Sequence, residues 1–205
     1  MTEANSVVIL DFETTGLSPT QGDRAIEIGA VRLEKGIVVD TFQQLMNPGF
    51  RITSFIEQYT GITNEMLSYA PNCKQGMANF ADFIGDAKLV AHNASFDQRF
   101  LEAELSRIGR QYSSPFACSM LLARRIYPDA PNHQLGTLVS YNRIQHDGVF
   151  HRALADAQMT AKLWQHMLDT LAECWHCHNP SFELMLSLQK QSKANISKFL
   201  TKYVN

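Results

Sequence analysis

Residues 7–17 read VVILDFETTGL, an apolar run rich in β-branched residues that ends at Thr-Thr-Gly. Such a run predicts a buried strand that leads into a turn. Because side chains alternate along a strand, Asp11 and Glu13 should point to the same side. Two carboxylates side by side at the end of a buried strand repel each other, and a hard divalent cation bound to both relieves this repulsion. The alternative is a strand end whose carboxylates simply reach solvent.

The composition of the 205-residue chain is that of one globular domain, with 45% hydrophobic and 19% charged residues. No apolar run is long enough to span a bilayer, and the first residues, MTEANS, lack the features of a secretory signal. We therefore expect a cytoplasmic protein without membrane contacts, whose four cysteines are reduced thiols. A net charge of −2 argues against a protein that coats nucleic acid electrostatically, but it is compatible with a nuclease whose acidic site binds metal.

The order of the predicted elements indicates an α/β fold with a mixed sheet. After the first strand, strands are predicted at 25–33 and 37–46, joined by a turn at 34–36, so these three should pair antiparallel. Short strands are predicted at 89–91 and 116–118, alternating with helices. The predicted helical segments are short pieces from residue 54, then 75–84, 96–108, 119–127, 134–141 and 152–171.

Two further carboxylates lie at the edges of buried elements. Asp97 is in the first turn of the helix that follows the fourth strand, where Ser95 and Gln98 form a capping-box pattern. A cap of that helix is the alternative role for Asp97. Asp156 lies among alanines in the last long helix, so it should be buried without a partner unless it shares a cation with Asp11.

Three segments of the chain resemble a known enzyme family. DFETTGL, AHNASFDQRFL and HRALADA occur in the order and spacing of the three exonuclease motifs of the DEDD superfamily. The match is to its histidine-containing, DnaQ-like branch, which includes the epsilon proofreading subunits of replicative DNA polymerases and exonuclease X. The resemblance implies a ribonuclease-H-like, mixed five-stranded sheet of three antiparallel strands plus parallel strands, flanked by helices. We expect the exonuclease domain to span residues 1–172 and a helical extension to span 173–205.

The resemblance also implies a reaction. Members of this branch are 3′→5′ exonucleases that release nucleoside monophosphates by two-metal-ion hydrolysis, and here single-stranded DNA is the expected substrate. By position in the motifs, His151 is the general base, and two Mg²⁺ or Mn²⁺ ions are held by Asp11, Glu13, Asp97 and Asp156. The alternatives are an exoribonuclease or oligoribonuclease, and a proofreading subunit that acts mainly within a polymerase complex.

The substrate contacts implied by the resemblance lie on three segments. The residues expected to hold the 3′-terminal nucleotide are Thr14, Thr15, Gly16, Leu17, Ile62, His92, Asn93 and Phe96. Core packing is an equally good explanation for Phe96, and Asn93 is better explained as a support for the active-site loop. By default the extension packs on its parent domain, and a contact with a polymerase or with a second copy of the chain is the alternative.

Overall fold

The computed structural model describes residues 3–145 and 151–204; residues 1–2, 146–150 and 205 of the expected domain and extension lie outside the described residues. The strands are β1 (Val7–Thr14), β2 (Ala25–Glu34), β3 (Ile37–Leu45), β4 (Leu89–Ala91) and β5 (Phe116–Cys118). The α-helices of the described part are α1 (Ser54–Thr60), α2 (Asn64–Ser68), α3 (Cys73–Ile84), α4 (Ser95–Arg107), α5 (Ser119–Ile126), α6 (Leu135–Tyr141), α7 (Ala153–Trp175), α8 (Phe182–Leu188) and α9 (Ile196–Val204). None of these helices is long and apolar enough to cross a membrane.

The five strands form one mixed sheet in the order β3-β2-β1-β4-β5. β2 pairs antiparallel with both β1 and β3, whereas β4 and β5 run parallel to β1. The predicted mixed sheet is therefore confirmed. Because β1, β4 and β5 are parallel, their carboxyl ends lie at one edge of the sheet, where loops from several strands meet.

β1 lies at the centre of the sheet because it is apolar on both faces. Val8 and Leu10 are buried in the layer that contains α3 and α4, and Val7 and Ile9 are buried in the layer that contains α5 and α7. A strand that is buried on both faces is typical of the middle of an α/β sheet. This packing holds β1 firmly in the sheet, and so it fixes the position of the acidic residues on this strand.

The C-terminal segment belongs to the layer of α7. Phe182, Met185 and Leu200 are fully buried and lie in the same apolar cluster as Trp164 of α7. The helix α7 continues to Trp175, past the expected boundary at 172, so the division into domain and extension stays a prediction. The tail packs on the parent domain, which was the default expectation.

The two ends of α4 differ in how well the sequence predicts them. The expected capping box is wrong, because Ser95 is already the first helical residue and the preceding Ala94 makes no side-chain capping bond. Asn93 adopts a positive φ of 65°, and its carbonyl accepts a hydrogen bond from the N–H of Phe96, so a tight backbone turn starts the helix instead. The other end lies within one residue of the predicted position 108: the helix ends at Arg107, and Gly109 beyond it has a φ of 70°, which glycine adopts at little cost.

Candidate active site

Acidic side chains from three elements meet at the carboxyl edge of the sheet. Asp11 and Glu13 share one face of β1, and Asp11 is partly exposed whereas Glu13 is 8% exposed. Asp97 comes from the first turn of α4, directly after β4, and Asp156 comes from the first turn of α7. These four carboxylates all line one cavity of about 640 Å³. The sheet topology brings together residues that are up to 145 positions apart in the chain.

Asp97 connects α4 to β1. Its side chain is 2% exposed, and its Oδ1 accepts a hydrogen bond from the backbone N–H of Phe12 at 3.1 Å. A residue that only capped its own helix would not reach across to the neighbouring strand. The bond to Phe12 therefore sets the distance between the acidic residues of β1 and the start of α4.

The start of α7 brings Asp156 and His151 to the same site. Asp156 is half-buried, and its Oδ2 accepts a hydrogen bond from the backbone N–H of His151 at 3.0 Å, so the expectation that it lacks a protein partner is wrong. The imidazole of His151 is exposed and lies 4.2 Å, centroid to centroid, from the ring of Tyr59. One ligand atom each from Glu13, His151 and Asp156 lie within 4.8 Å of one another. His151 is thus close enough to act on, or to join, a metal site.

Burial raises the pKa of every carboxyl group in this cluster, and the charges of neighbouring carboxylates raise the pKa of Asp11, Glu13 and Asp156 further. Burial is the largest cause for Asp11, whose pKa lies well above its usual value, and the charges of Asp97 and Glu13 add to it. Burial, followed by the charge of Asp156, raises the pKa of Glu13 to about 8. Burial also raises the pKa of Asp97 to about 8, and it is the largest cause of the raised pKa of Asp156.

The donor set fits hard divalent cations. The site offers carboxylate oxygens, the ligands preferred by Mg²⁺ and Mn²⁺, at a place where the protein alone does not compensate the negative charge. A cation bound there would favour the ionised form of each carboxylate and reverse the upward pKa shifts. Asp11, Glu13, Asp97 and Asp156 are the residues that would hold it.

The loop after β1 forms one wall of the cavity. The expected contact residues Thr14, Thr15, Gly16 and Leu17 all line it. The Thr15 hydroxyl donates to Asp23 Oδ1 at 3.0 Å, and a Cβ at Gly16 would lie only 2.5 Å from the Asp23 carboxylate oxygens. A side chain at position 16 would displace the Asp23 carboxylate that holds the loop, and the loop leaves Leu17 78% exposed at the cavity.

The segments after β4 and β3 contribute unequally. His92, Asn93 and Phe96 line the cavity as expected. Ile62 does not: it is fully buried in a small apolar cluster with Ile26, so it has no surface with which to contact a nucleotide. Side chains of the preceding helix α1, among them Phe55 and Tyr59, line the cavity instead.

His92 is a structural histidine at the edge of this cavity. Its Nδ1 is 2.8 Å from the hydroxyl oxygen of Ser119, and its Nε2 is 2.9 Å from the backbone carbonyl oxygen of His133. Burial lowers the pKa of His92 to about 4, so the ring is neutral at physiological pH. Both ring nitrogens are occupied, and the side chain ties the segment after β4 to the start of α5 and to the loop between α5 and α6.

Sequence reasoning missed three residues beside the site. Phe55 and Tyr59 of α1 line the cavity with their rings 5.9 Å apart, and they are 68% and 51% exposed. Glu27 is a fully buried carboxylate on β2, directly opposite Glu13 in the strand register. The available signal was a single acidic residue within the apolar stretch AIEIGAV. Only the pairing of β1 with β2 shows that it lies beside the cluster.

Comparisons with known proteins agree with this geometry. A family model described as Exonuclease matches residues 8–164. The PolC-type DNA polymerase III of Caldanaerobacter subterraneus subsp. tengcongensis is 38% identical over 168 residues, which cover 81% of this chain and 12% of the polymerase. The DNA polymerase III subunit epsilon of Aquifex aeolicus is 33% identical over 165 residues, 80% of this chain and 81% of the subunit.

The solved structure of exonuclease X in complex with 5′ overhanging duplex DNA is also similar. It has a TM-score of 0.70 and 26% identity, and the match covers 89% of this chain and 98% of that one. The chain spans only about 12% of the length of the PolC-type polymerases it matches, but most of the length of the epsilon subunit and of exonuclease X.

Proposed function

The chain belongs to the exonuclease family, and from this premise we propose that it is a metal-dependent 3′→5′ exonuclease acting on single-stranded DNA ends. The observation that carries the proposal is the convergence of four carboxylates in one cavity. The apolar and aromatic surfaces of Leu17, Phe55 and Tyr59 line the same cavity. Carboxylates that bind cations suit the phosphodiester, and apolar and aromatic side chains suit the bases.

The carboxylates have a defined task in this proposal. When bound, two divalent cations supply an activated water and charge stabilisation for the leaving oxygen. Asp11 and Glu13 on the rigid central strand and Asp97, tied to that strand through Phe12, give a fixed set of oxygen ligands. Asp156 completes the set from α7, so any movement of that helix start changes the ligand geometry.

His151 is the proposed general base. Its backbone N–H, not its ring, bonds to Asp156, which leaves the exposed imidazole free to accept a proton from water. The alternative is a metal ligand, because its ring lies within reach of Glu13 and Asp156.

The His151→Ala variant separates these two roles. Loss of a general base should slow single-turnover hydrolysis by about 10²–10⁴-fold and leave Mn²⁺ affinity unchanged. A variant that binds Mn²⁺ more weakly, and whose rate is restored by added Mn²⁺, would identify a ligand instead.

The proposal accounts for end specificity through the walls of the cavity. Stacking of a base on an aromatic side chain is sequence-tolerant, and each such contact is worth about 1–3 kcal/mol. Phe55 and Tyr59, which are 68% and 51% exposed, bring aromatic surface to the cavity that holds the carboxylates, and Leu17 brings aliphatic surface. A terminal nucleotide enclosed in this way leaves its phosphodiester over the carboxylates.

Polarity and substrate class are tested together. Matched 5′-labelled DNA and RNA single strands, a 5′ overhanging DNA duplex and a circular DNA single strand are incubated with the chain and Mg²⁺. We expect stepwise shortening of linear DNA from the 3′ end, release of nucleoside monophosphates, and an intact circle. Cleavage of the circle would refute an exonuclease, and faster hydrolysis of RNA would favour the exoribonuclease alternative.

A second candidate is a proofreading role within a polymerase complex, in a cytoplasmic location. Its specific support is that both relatives described above are named as a DNA polymerase III or its epsilon subunit. A proofreading enzyme should remove a mismatched 3′ terminal nucleotide from a primed template faster than a matched one. Equal rates on both ends would favour a nuclease that acts independently of synthesis.

A further inference from the structure

Glu27 is a buried carboxylate whose oxygens accept four hydrogen bonds. Its side chain has no exposed surface. The guanidinium of Arg152 donates twice, from Nη2 to Oε1 at 2.8 Å and from Nε to Oε2 at 3.1 Å. The backbone N–H of Ala153 donates to Oε2 at 3.1 Å, and Gln43 Nε2 donates to Oε1 at 2.8 Å. Two of these partners are the residues at which α7 begins.

Glu27 occupies an electrostatically unfavourable place. It lies opposite Glu13 in the pairing of β1 with β2, and its charge raises the pKa of Glu13 and of Asp11. A further negative charge beside an acidic site is costly unless it is paired and hydrogen-bonded. The charge of Arg152 lowers the pKa of Glu13, so the Glu27–Arg152 pair partly offsets its own cost.

A second contact fixes the same helix start to the same strand. Gly29 lies two residues after Glu27, on the same face of β2 and opposite Asp11. A Cβ at Gly29 would lie 2.1 Å from the backbone nitrogen of Leu154, so the first turn of α7 rests directly on the strand. The start of α7 is therefore held on β2 at two points, by hydrogen bonds at Glu27 and by close packing at Gly29.

We propose that Glu27 is a positioning residue that acts through Arg152 and Ala153 to place His151 and Asp156 over the carboxylates of β1. Asp156 lies three residues after Ala153, and His151 immediately precedes Arg152, so both depend on where the helix begins. In this arrangement the fork of Arg152 is occupied by Glu27 and is not available to a substrate phosphate. The inference rests on the proposed nuclease function.

The test compares Glu27→Gln with Trp164→Phe, a variant of α7 away from the site. Trp164 is fully buried and donates to the backbone carbonyl of Ala4 at 2.7 Å, so its replacement loosens the same helix without touching Glu27. We expect Glu27→Gln to lower kcat about 10–100-fold with little change in KM, as when supporting hydrogen bonds behind metal ligands are lost. Trp164→Phe should keep the wild-type kcat at a comparable loss of Tm.

Two further variants test whether Glu27 acts through Arg152. Arg152→Lys retains the charge but loses the two-pronged bond, so it should fold and show the same selective fall in kcat. A double variant, Glu27→Gln with Arg152→Lys, should be no slower than the slower single variant if Glu27 acts through Arg152. A kcat loss in Glu27→Gln no larger than in Trp164→Phe would overturn the proposal, as would a rise in KM at unchanged kcat for Arg152→Lys.

A readout independent of activity separates this proposal from the proposed function. The ring of His151 packs on Tyr59, so its imidazole ¹H–¹³C NMR signals, assigned by their absence in His151→Ala, report its placement. These signals should shift in Glu27→Gln and Arg152→Lys and stay unchanged in Trp164→Phe. Unchanged signals in Glu27→Gln would overturn the positioning role. If the wild-type protein has no nuclease activity but the signals still shift in Glu27→Gln, only the nuclease function is overturned.

Discussion

Replacing Glu13 with glutamine should stabilise the metal-free protein while it destroys the metal site. Glu13 is 8% exposed, and burial together with the charge of Asp156 raises its pKa from 4.5 to about 8. Glutamine has nearly the same shape and carries no charge, so it removes the repulsion that the cluster stores. The same change removes a ligand that divalent cations need.

The size of the effect follows from the pKa of Glu13. Because the native carboxyl group holds its proton up to about pH 8 and the unfolded one only to about 4.5, the native state binds more protons between these values. Stability of the metal-free wild type therefore falls as pH rises from about 4.5 to 8, by up to about 5 kcal/mol. An imperfectly hydrogen-bonded amide costs about 1–2 kcal/mol, so at pH 8 the free energy of unfolding of Glu13→Gln should exceed that of the metal-free wild type by about 3 kcal/mol. For a chain of this length that corresponds to a rise in Tm of about 6–12 °C.

Thermal unfolding in EDTA at pH 5 and pH 8 measures this difference. The matched control is Glu27→Gln, the same substitution directly opposite on β2, which should lower Tm because Glu27 is paired with Arg152. Added Mg²⁺ should raise the Tm of the wild type by mass action and have little effect on Glu13→Gln. A lower Tm for Glu13→Gln at pH 8 in EDTA, or an equal shift at both pH values, would refute the reasoning.

Three other predictions concern the site and its walls. Asp11→Ala and Asp156→Ala should each abolish Mg²⁺-dependent hydrolysis in a folded protein, and retention of more than about a tenth of the rate at saturating metal would contradict their roles as ligands. Gly29→Ala should cost about 3 kcal/mol or more of unfolding free energy, measured by denaturant titration, because the new Cβ displaces the start of α7; an unchanged midpoint would contradict the close packing. Phe55→Ala should raise KM for single strands about 5-fold or more, whereas Phe50→Ala, an exposed aromatic that does not line the cavity, should not; equal effects would argue against stacking.

The sheet was predictable because its signals are local. The apolar run of β1, the turn at 34–36 and the short runs of β4 and β5 each predict a strand from neighbouring residues alone. Short connections then make the antiparallel pairing of β1, β2 and β3 nearly obligatory. The acidic residues are attached to these elements, so their convergence follows from the topology.

The misjudged residues depend on contacts between distant parts of the chain. Ile62 follows α1, whose side chains line the cavity, but it packs in one apolar cluster with Ile26 of β2, and no local pattern reveals which side chains of this segment face the site. Glu27 reads as an isolated charge in a strand until the register places it beside Glu13 and α7 brings Arg152 to it. Ser95 has the sequence of a capping box, but the backbone turn at Asn93 already starts the helix.

The most direct measurement of the central claim is a Mn²⁺ titration of the wild-type chain in the presence of a nucleoside monophosphate. Free Mn²⁺ is followed by electron paramagnetic resonance, and hydrolysis of a 5′-labelled strand is followed over the same metal concentrations. The four-carboxylate site predicts two bound ions per chain and hydrolysis that appears only as they bind. In Asp97→Asn it predicts the loss of both the ion binding and the hydrolysis. Hydrolysis at full rate in EDTA, or binding of two ions that Asp97→Asn leaves unchanged, would contradict it.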